Sequence, residues 1–193
     1  NKAELVRSMD YPAITAMDEF SRGPSHVTML ANPILDRGTV SITNQDEKVS
    51  VKVCADDDWM VVGTDNTNGS GDDMDLYNSS NVLDEAIRNR FDLYVRVPYA
   101  PETVERDIIT QLAGDTLSSD DIRKLAHFSA MCHKGYSDRK IRTAFSIRNL
   151  IAIVALCKPG TSITQAIGLN FQNRVSKSEQ PDIAEMVRAI WGA

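Results

Sequence analysis

Residues 13–19 read Ala13-Ile14-Thr15-Ala16-Met17-Asp18-Glu19, a short apolar run that ends in two adjacent carboxylates. A run of this length bounded by polar residues is the pattern of a buried strand, and in open α/β sheets ligands gather outside the carboxyl ends of the strands. A second run, Trp59-Met60-Val61-Val62-Gly63, leads into Thr64-Asp65-Asn66, and a third, Leu93–Val97, follows a helix-like segment from Leu83 to Phe91. A further helix-like stretch carries Phe20, Val27, Leu30, Ile34 and Leu35. Apolar runs alternating with helical segments predict an α/β fold with buried parallel strands. Between Gly38 and Val53, the residues Val40 and Ile42, then Val49, Val51 and Val53, alternate across the polar turn Thr43-Asn44-Gln45-Asp46. That period of two predicts a β-hairpin with one face to solvent.

Beyond Pro98 and Pro101 the pattern turns helical, which predicts a linker there and two parts, an α/β core over 1–99 and an all-α part over 100–193. Ser118-x-x-Asp121 has the form of a capping box before Ile122–Cys132. Ser146–Lys158 is apolar over most of its surface and stops at Pro159-Gly160, as a buried helix does. Ile183, Met186, Val187, Ile190 and Trp191 repeat at i, i+3, i+4, i+7 and i+8, so the last segment is an amphipathic helix in which Trp191 packs.

Composition narrows the class. With 42% hydrophobic and 25% charged residues among 193, the chain is globular rather than collagen-like, coiled-coil or disordered. Its 21 Lys+Arg against 27 Asp+Glu give a net charge of −6, which argues against a dedicated nucleic-acid binder. The longest apolar run, Leu150 to Cys157, is far short of the roughly 18–20 residues that cross a bilayer. Cys54, Cys132 and Cys157 are an odd number and widely spaced. With no leader-like start, the expectation is a cytoplasmic chain without disulfides, and the start at Asn1 points to a fragment or processed product.

Several residue sets bear on chemistry. An aspartate at a strand's end, as Asp18 is, can hold Mg²⁺ directly or through water, and a glutamate beside it, Glu19, can orient and deprotonate an attacking water. The plainer alternative is that both carboxylates open a helix, where acidic side chains suit the positive end of its dipole. Asn66 brings an amide to the end of a neighbouring strand, where it can help hold a water. Arg148 lies in the first turn of the buried helix, where a cation is unfavourable unless it meets an anion. Asp56-Asp57-Asp58 reads as a solvated turn. Asp72, Asp73 and Asp75 do not complete a calcium loop from Asp65, since its twelfth position is Leu76 rather than Glu. His127 with Cys132-His133 lacks a second pair at zinc spacing, and His26 reads as a helix-surface residue. Arg22, Arg37, Arg139 and Arg142 read as solvated or as subunit-interface arginines.

In this order, the set resembles the AAA+ ATPases, and more narrowly the MoxR group with its relative, the ATPase subunit of cobalt chelatase. Asp18-Glu19-Phe20-Ser21-Arg22 is similar to that group's Walker B segment, Gly63-Thr64-Asp65-Asn66 to sensor 1, and Ser146-Ile147-Arg148 to sensor 2 in a helical lid. The hairpin falls where these proteins carry one, and residues 68–78 resemble the cobalt chelatase relative. Leu83–Phe91 is similar to the stretch ending in the arginine finger, by register Arg90 with Arg88 second. The resemblance implies ATP hydrolysis with Mg²⁺ near Asp18, Glu19 as base, Asn66 positioning water, Arg148 touching the γ-phosphate in cis and Arg90 reaching a neighbour's nucleotide. It also implies a homo-oligomeric ring, usually a hexamer, that acts as a remodelling motor or metal-insertion helper with a von Willebrand A-domain partner. Two departures stand out. Asn89 occupies a position where the group usually has Asp, and the chain contains no G-x-x-x-x-G-K-[ST] loop to cradle phosphates. In the family that loop precedes Walker B, so it is expected ahead of Asn1. The rival expectation is a non-hydrolysing interaction module built from the same fold.

Overall fold

Strand β1 (Ile14–Met17) pairs in parallel with a strand far along the chain, Met60–Gly63, in the register Ile14↔Met60 to Met17↔Gly63. A computed structural model describes residues 7–24, 28–29, 31–43, 50–54, 57–66, 83, 85–158 and 160–192, with the backbone alone at 42–43 and 50–54. His26, Val27, Leu30, Asp56, Asp72, Asp73, Asp75, the 68–78 stretch and the turn at 44–49 lie outside the described residues. The chain divides into two units, Asn1–Val95 and Arg96–Ala193.

In the first unit β1 runs into a 3-10 turn, Phe20–Arg22, and then helix α1 (Asn32–Arg37). Pro33 sits in the first turn of α1, where its missing N–H costs nothing. Gly38 closes α1 at φ 57°, ψ 30°, a left-handed conformation that glycine adopts without penalty, and Thr39 can then start a strand. Strands β2 (Thr39–Thr43) and β3 (Ser50–Cys54) pair antiparallel with Val40 opposite Val53 and Ile42 opposite Val51, so the alternating apolar residues share one face of the expected hairpin. Strand β4 (Met60–Gly63) and the single-turn helix α2 (Glu85–Arg88) complete the unit as described. Met9 and Ile34 are its small buried cluster, with Val40, Trp59 and Val61 packed on them.

Two expectations need correction. The β1–β4 pair is not buried on both faces: Thr15 and Val61 are half-buried, while Ile14 is 72% exposed and Met60 and Val62 are exposed. The alternation of the pleat turns those residues away from the α1 side, and no other strand or helix among the described residues covers them. Leu93–Val97 is not a strand. It has no regular structure and is highly exposed, and no described strand offers it a hydrogen-bond ladder.

The second unit has no strand among its described residues. It comprises α3 (Glu102–Ala113), α4 (Ser119–Ser137), α5 (Ile147–Cys157), α6 (Ile163–Ile167), which continues as a π turn over Gly168–Gln172, and α7 (Gln180–Trp191). One contiguous core runs through them, centred on Phe128, Phe145 and Phe171, all fully buried and packed edge to face. Burial of each such ring stabilises the unit by roughly 1.5–3 kcal/mol. Trp191 packs edge-on against Phe128, as the helical spacing predicts. Ser118 caps α4 by accepting the Asp121 N–H, and its hydroxyl donates to the Asp121 carboxylate at 2.7 Å. At α5, Ser146 donates its N–H and hydroxyl to Asn149 Oδ1, and Asn149 Nδ2 donates to Asn170 Oδ1, which ties the helix start to the π turn. No helix among the described residues is long and apolar enough to cross a membrane.

Candidate active site

Parallel pairing with Met17 opposite Gly63 brings the carboxyl ends of β1 and β4 to one edge, so Asp18-Glu19 and Thr64-Asp65-Asn66 emerge side by side. The two exits are then stitched together. Thr64 N–H donates to the Met17 carbonyl at 2.9 Å, and Phe20 N–H donates to the Thr64 carbonyl at 3.0 Å. Glu19 N–H donates to Thr64 Oγ1 at 3.1 Å, the Thr64 hydroxyl donates to Asp18 Oδ1, and Ser21 N–H donates to Asp65 Oδ2 at 3.0 Å. These bonds hold Glu19 at φ 50°, ψ 47°, a left-handed conformation that costs a non-glycine residue roughly 1–2 kcal/mol. The sharp turn leaves both carboxylates at the surface. The Glu19 side chain is 48% exposed and its Oε2 accepts from Arg22 Nη1 at 2.8 Å. Such an exposed pair contributes at most about 1 kcal/mol, so Glu19 is readily released from it.

The arginine-bearing segment after α2 packs against this same turn. Phe91 meets Phe20 edge to face at 5.9 Å and Tyr94 at 6.4 Å. A Cβ on Gly63 would touch the Phe91 ring at 3.4 Å, so the small residue at the end of β4 lets the ring close over the strand. Arg90 Nη1 donates to the Ala86 carbonyl, and Arg90 Nε lies 3.9 Å from Asp36 Oδ1. Arg88 follows a different course: its carbonyl accepts the Tyr94 hydroxyl at 2.7 Å, and its Nε is buried without a hydrogen-bond partner.

Asp18, Glu19 and Asn66 therefore stand at one sheet edge, with Asn66 exposed on the bend after Asp65, whereas Arg90, in the same unit and next to Phe91, directs its side chain to Ala86 and Asp36. Arg148 belongs to the other unit, as the second residue of α5. It is exposed and makes no hydrogen bond or ion pair among the described residues. Residues to which the sequence assigned no role of their own hold the site: Thr64 and Asp65, which enter there only as part of the segment similar to sensor 1, bind the turn, and Asp36 faces Arg90. Thr64 and Asp65 carried a signal, since short polar side chains just past a strand end commonly bond neighbouring backbone. Asp36 carried none, being 54 positions from Arg90 in sequence.

The donor set at the edge is all oxygen: Asp18, Glu19, the Thr64 hydroxyl and the Asn66 amide carbonyl. This chemistry fits a hard cation, and Mg²⁺ in phosphate sites is commonly held by one or two carboxylates with water and substrate oxygens. No group of three or more His, Cys, Asp or Glu among the described residues forms a cage for a metal by itself.

The zinc-like residues have another role. His133 is buried, stacks on Tyr99 at 3.9 Å and donates from Nε2 to the Phe145 carbonyl at 3.1 Å. Burial holds its pKa below the ordinary value, and burial raises that of Glu105, whose Oε1 lies 3.8 Å from His133 Nε2. Cys132 is free and pushed up to about 12 by burial and the nearby Glu105, so it is an inert packing residue. His127 lies at the surface, 3.4 Å from Glu102.

Residues 1–91 match the family model described as the AAA domain, dynein-related subfamily. The match covers just under half of the 193 residues and supports a AAA+ ATPase. No curated protein matches the chain.

Proposed function

We propose that this chain is the Walker B to lid portion of a AAA+ ATPase of the MoxR and cobalt chelatase type, which hydrolyses ATP in a homo-oligomeric ring, a hexamer by resemblance. The observation that carries the reading is the joined carboxyl ends of β1 and β4, which set Asp18-Glu19 beside Thr64-Asp65-Asn66 on a turn held in a strained conformation. Strain of this kind is concentrated at functional sites, where the surrounding structure holds it in place.

In this reading the first unit is the nucleotide-binding core and the second the helical lid. Asp18 holds Mg²⁺, which when bound supplies charge neutralisation at the phosphates. Thr64 fixes the Asp18 carboxylate by a hydroxyl bond and the Glu19 backbone by accepting its N–H. Glu19, released from Arg22, accepts the proton of a water that Asn66 orients. Arg148 contacts the γ-phosphate within the subunit, and Arg90 reaches the nucleotide of a neighbouring subunit, where a cation offsets charge developing on the phosphate oxygens. Relatives of this type act as remodelling motors or metal-insertion helpers with a von Willebrand A-domain partner, and we assign this chain the same class of work.

A shared site is directly testable. In the full-length protein, Glu19→Gln and Arg90→Ala are each expected to lower turnover by at least about 100-fold. Mixing the two inactive proteins is expected to recover part of it, because an Arg90→Ala subunit beside a Glu19→Gln subunit forms one intact site. A mixture as inactive as its components contradicts the trans role of Arg90.

A further inference from the structure

Two arginines flank the end of α2, and their surroundings differ. Arg88 has no carboxylate facing it among the described residues. Arg90 has Asp36, the penultimate residue of α1, whose Oδ1 lies 3.9 Å from Arg90 Nε while its Oδ2 accepts from Arg37 Nε at 3.0 Å. Arg90 Nε is buried and has no hydrogen-bond partner, and Arg90 Nη1 is spent on the Ala86 carbonyl. A guanidinium is planar with its donors in a fixed fork. The Nη1 bond to Ala86 fixes one corner of the group, and the Asp36 charge 3.9 Å from Nε biases its plane electrostatically, which leaves Nη2 as the nitrogen these two contacts do not use. The side chains of Arg90 and Asp36 are 29% and 43% exposed, so the pair sits at the surface with its inner atoms covered.

We infer that Asp36 is a positioning residue for Arg90: its carboxylate orients the guanidinium that meets the phosphates of a neighbouring subunit's nucleotide. The inference rests on the trans role of Arg90 proposed above. A long side chain ordered in advance loses less freedom when it engages, and small misplacements of a catalytic group are costly. Asp36 touches no substrate and acts only through Arg90.

The test compares Asp36→Ala, Asp36→Asn, Arg90→Ala and the double variant Asp36→Ala/Arg90→Ala in the assembled full-length protein. Asp36→Ala is expected to lower kcat by roughly 2- to 5-fold, the range open to a partly exposed ion pair, with KM for ATP unchanged. In the Arg90→Ala background the same change is expected to add nothing, since its target is gone. A second readout needs no turnover: modification by an arginine-selective dicarbonyl, mapped by peptide mass, is expected to quicken at Arg90 relative to Arg88 when Asp36 is replaced. Asp36→Asn keeps the size of the side chain and carries the test if the alanine variant fails to fold. If Arg90→Ala abolishes turnover while both Asp36 variants keep the wild-type kcat and Arg90 reactivity, the positioning role is overturned and the shared site stands. Equal losses from Asp36→Ala with and without Arg90 also overturn it, because Asp36 then acts elsewhere. Wild-type turnover by Arg90→Ala removes the trans role and this inference together.

Discussion

The two units hold their parts by different physics. The helical unit is organised by burial: Phe128, Phe145, Leu150, Ile153, Phe171 and Ile183 are fully inaccessible and belong to one core. The first unit, as far as it is described, buries Met9 and Ile34 in one small cluster and Ala31, Leu83 and Ile87 outside it, and its functional turn is set by directional bonds from Thr64 and Asp65. Burial is nearly non-directional, so it stabilises a shape, whereas hydrogen bonds fix individual backbone groups. A catalytic turn that must hold two carboxylates out to a ligand needs the second kind, and it tolerates a left-handed Glu19 because neighbouring bonds offset the strain.

That contrast can be broken most sharply in the core. Phe145→Ala is expected to destabilise the helical unit by about 3–5 kcal/mol, seen as a lower denaturation midpoint followed by circular dichroism, because the cavity would open between Phe128 and Phe171. A loss below about 1 kcal/mol would mean the core relaxes freely and is not close-packed. Next comes the most heavily bonded polar group of that unit. Glu179 accepts from the Arg142, Thr143 and Ser176 backbone N–H groups and from the Ser176 hydroxyl. Burial pushes its pKa up, but these bonds outweigh it and hold it below the ordinary value of 4.5. The stability this carboxylate contributes is present above that value and is lost as pH falls through the lowered one. Glu179→Gln is expected to cost about 1–3 kcal/mol at pH 7, with the difference from wild type shrinking on acidification in urea titrations. A gap that stays constant down to pH 2 would contradict the assignment.

Smaller effects sharpen the other side. Thr64→Val removes one donor to Asp18 and one acceptor for the Glu19 N–H, and is expected to cost about 1–2 kcal/mol locally. Faster amide hydrogen exchange over residues 18–22 with the helical unit unchanged is the expected reading, and unaltered exchange there would show that burial rather than bonding holds the turn. The smallest expected effect is at His133, whose lowered pKa means the folded state favours the neutral ring. Stability is then full above about pH 6.5 and falls as acid protonates the ring. His133→Gln is expected to flatten the decline in melting temperature between pH 7 and pH 5.

The helical unit was largely legible in sequence, because its signals are local. Ser118 before Asp121, the apolar Ser146–Lys158 and the Ile183–Trp191 stripe each report on residues within a turn or two, and the helices formed as read, but α5 is buried on one face only and leaves Ile147 and Ile151 exposed where a buried helix was expected. Asn149, which completes the cap on Ser146, escaped notice because a cap usually uses Glu or Gln there. In the first unit the strand ends Met17 and Gly63 and the hairpin were legible for the same reason. The coverage of a strand is not local, and so Ile14 and Met60 were read as buried when they are exposed, while Leu93–Val97 has the composition of a strand without a described partner. The candidate site divides the same way: Asp18, Glu19 and Asn66 follow from strand ends, whereas Asp36 facing Arg90 depends on how α1 folds back. Arg148 stands exposed in the first turn of α5, and no carboxylate among the described residues meets it there.

The central claim is that Glu19 is the base of an ATP-hydrolysing site, and nucleotide binding and turnover of Glu19→Gln in the full-length protein test it most directly. The account predicts binding of a fluorescent ATP analogue at wild-type affinity with hydrolysis reduced by at least about 100-fold, the lower end of what general-base catalysis contributes. Hydrolysis at the wild-type rate with binding intact would contradict it.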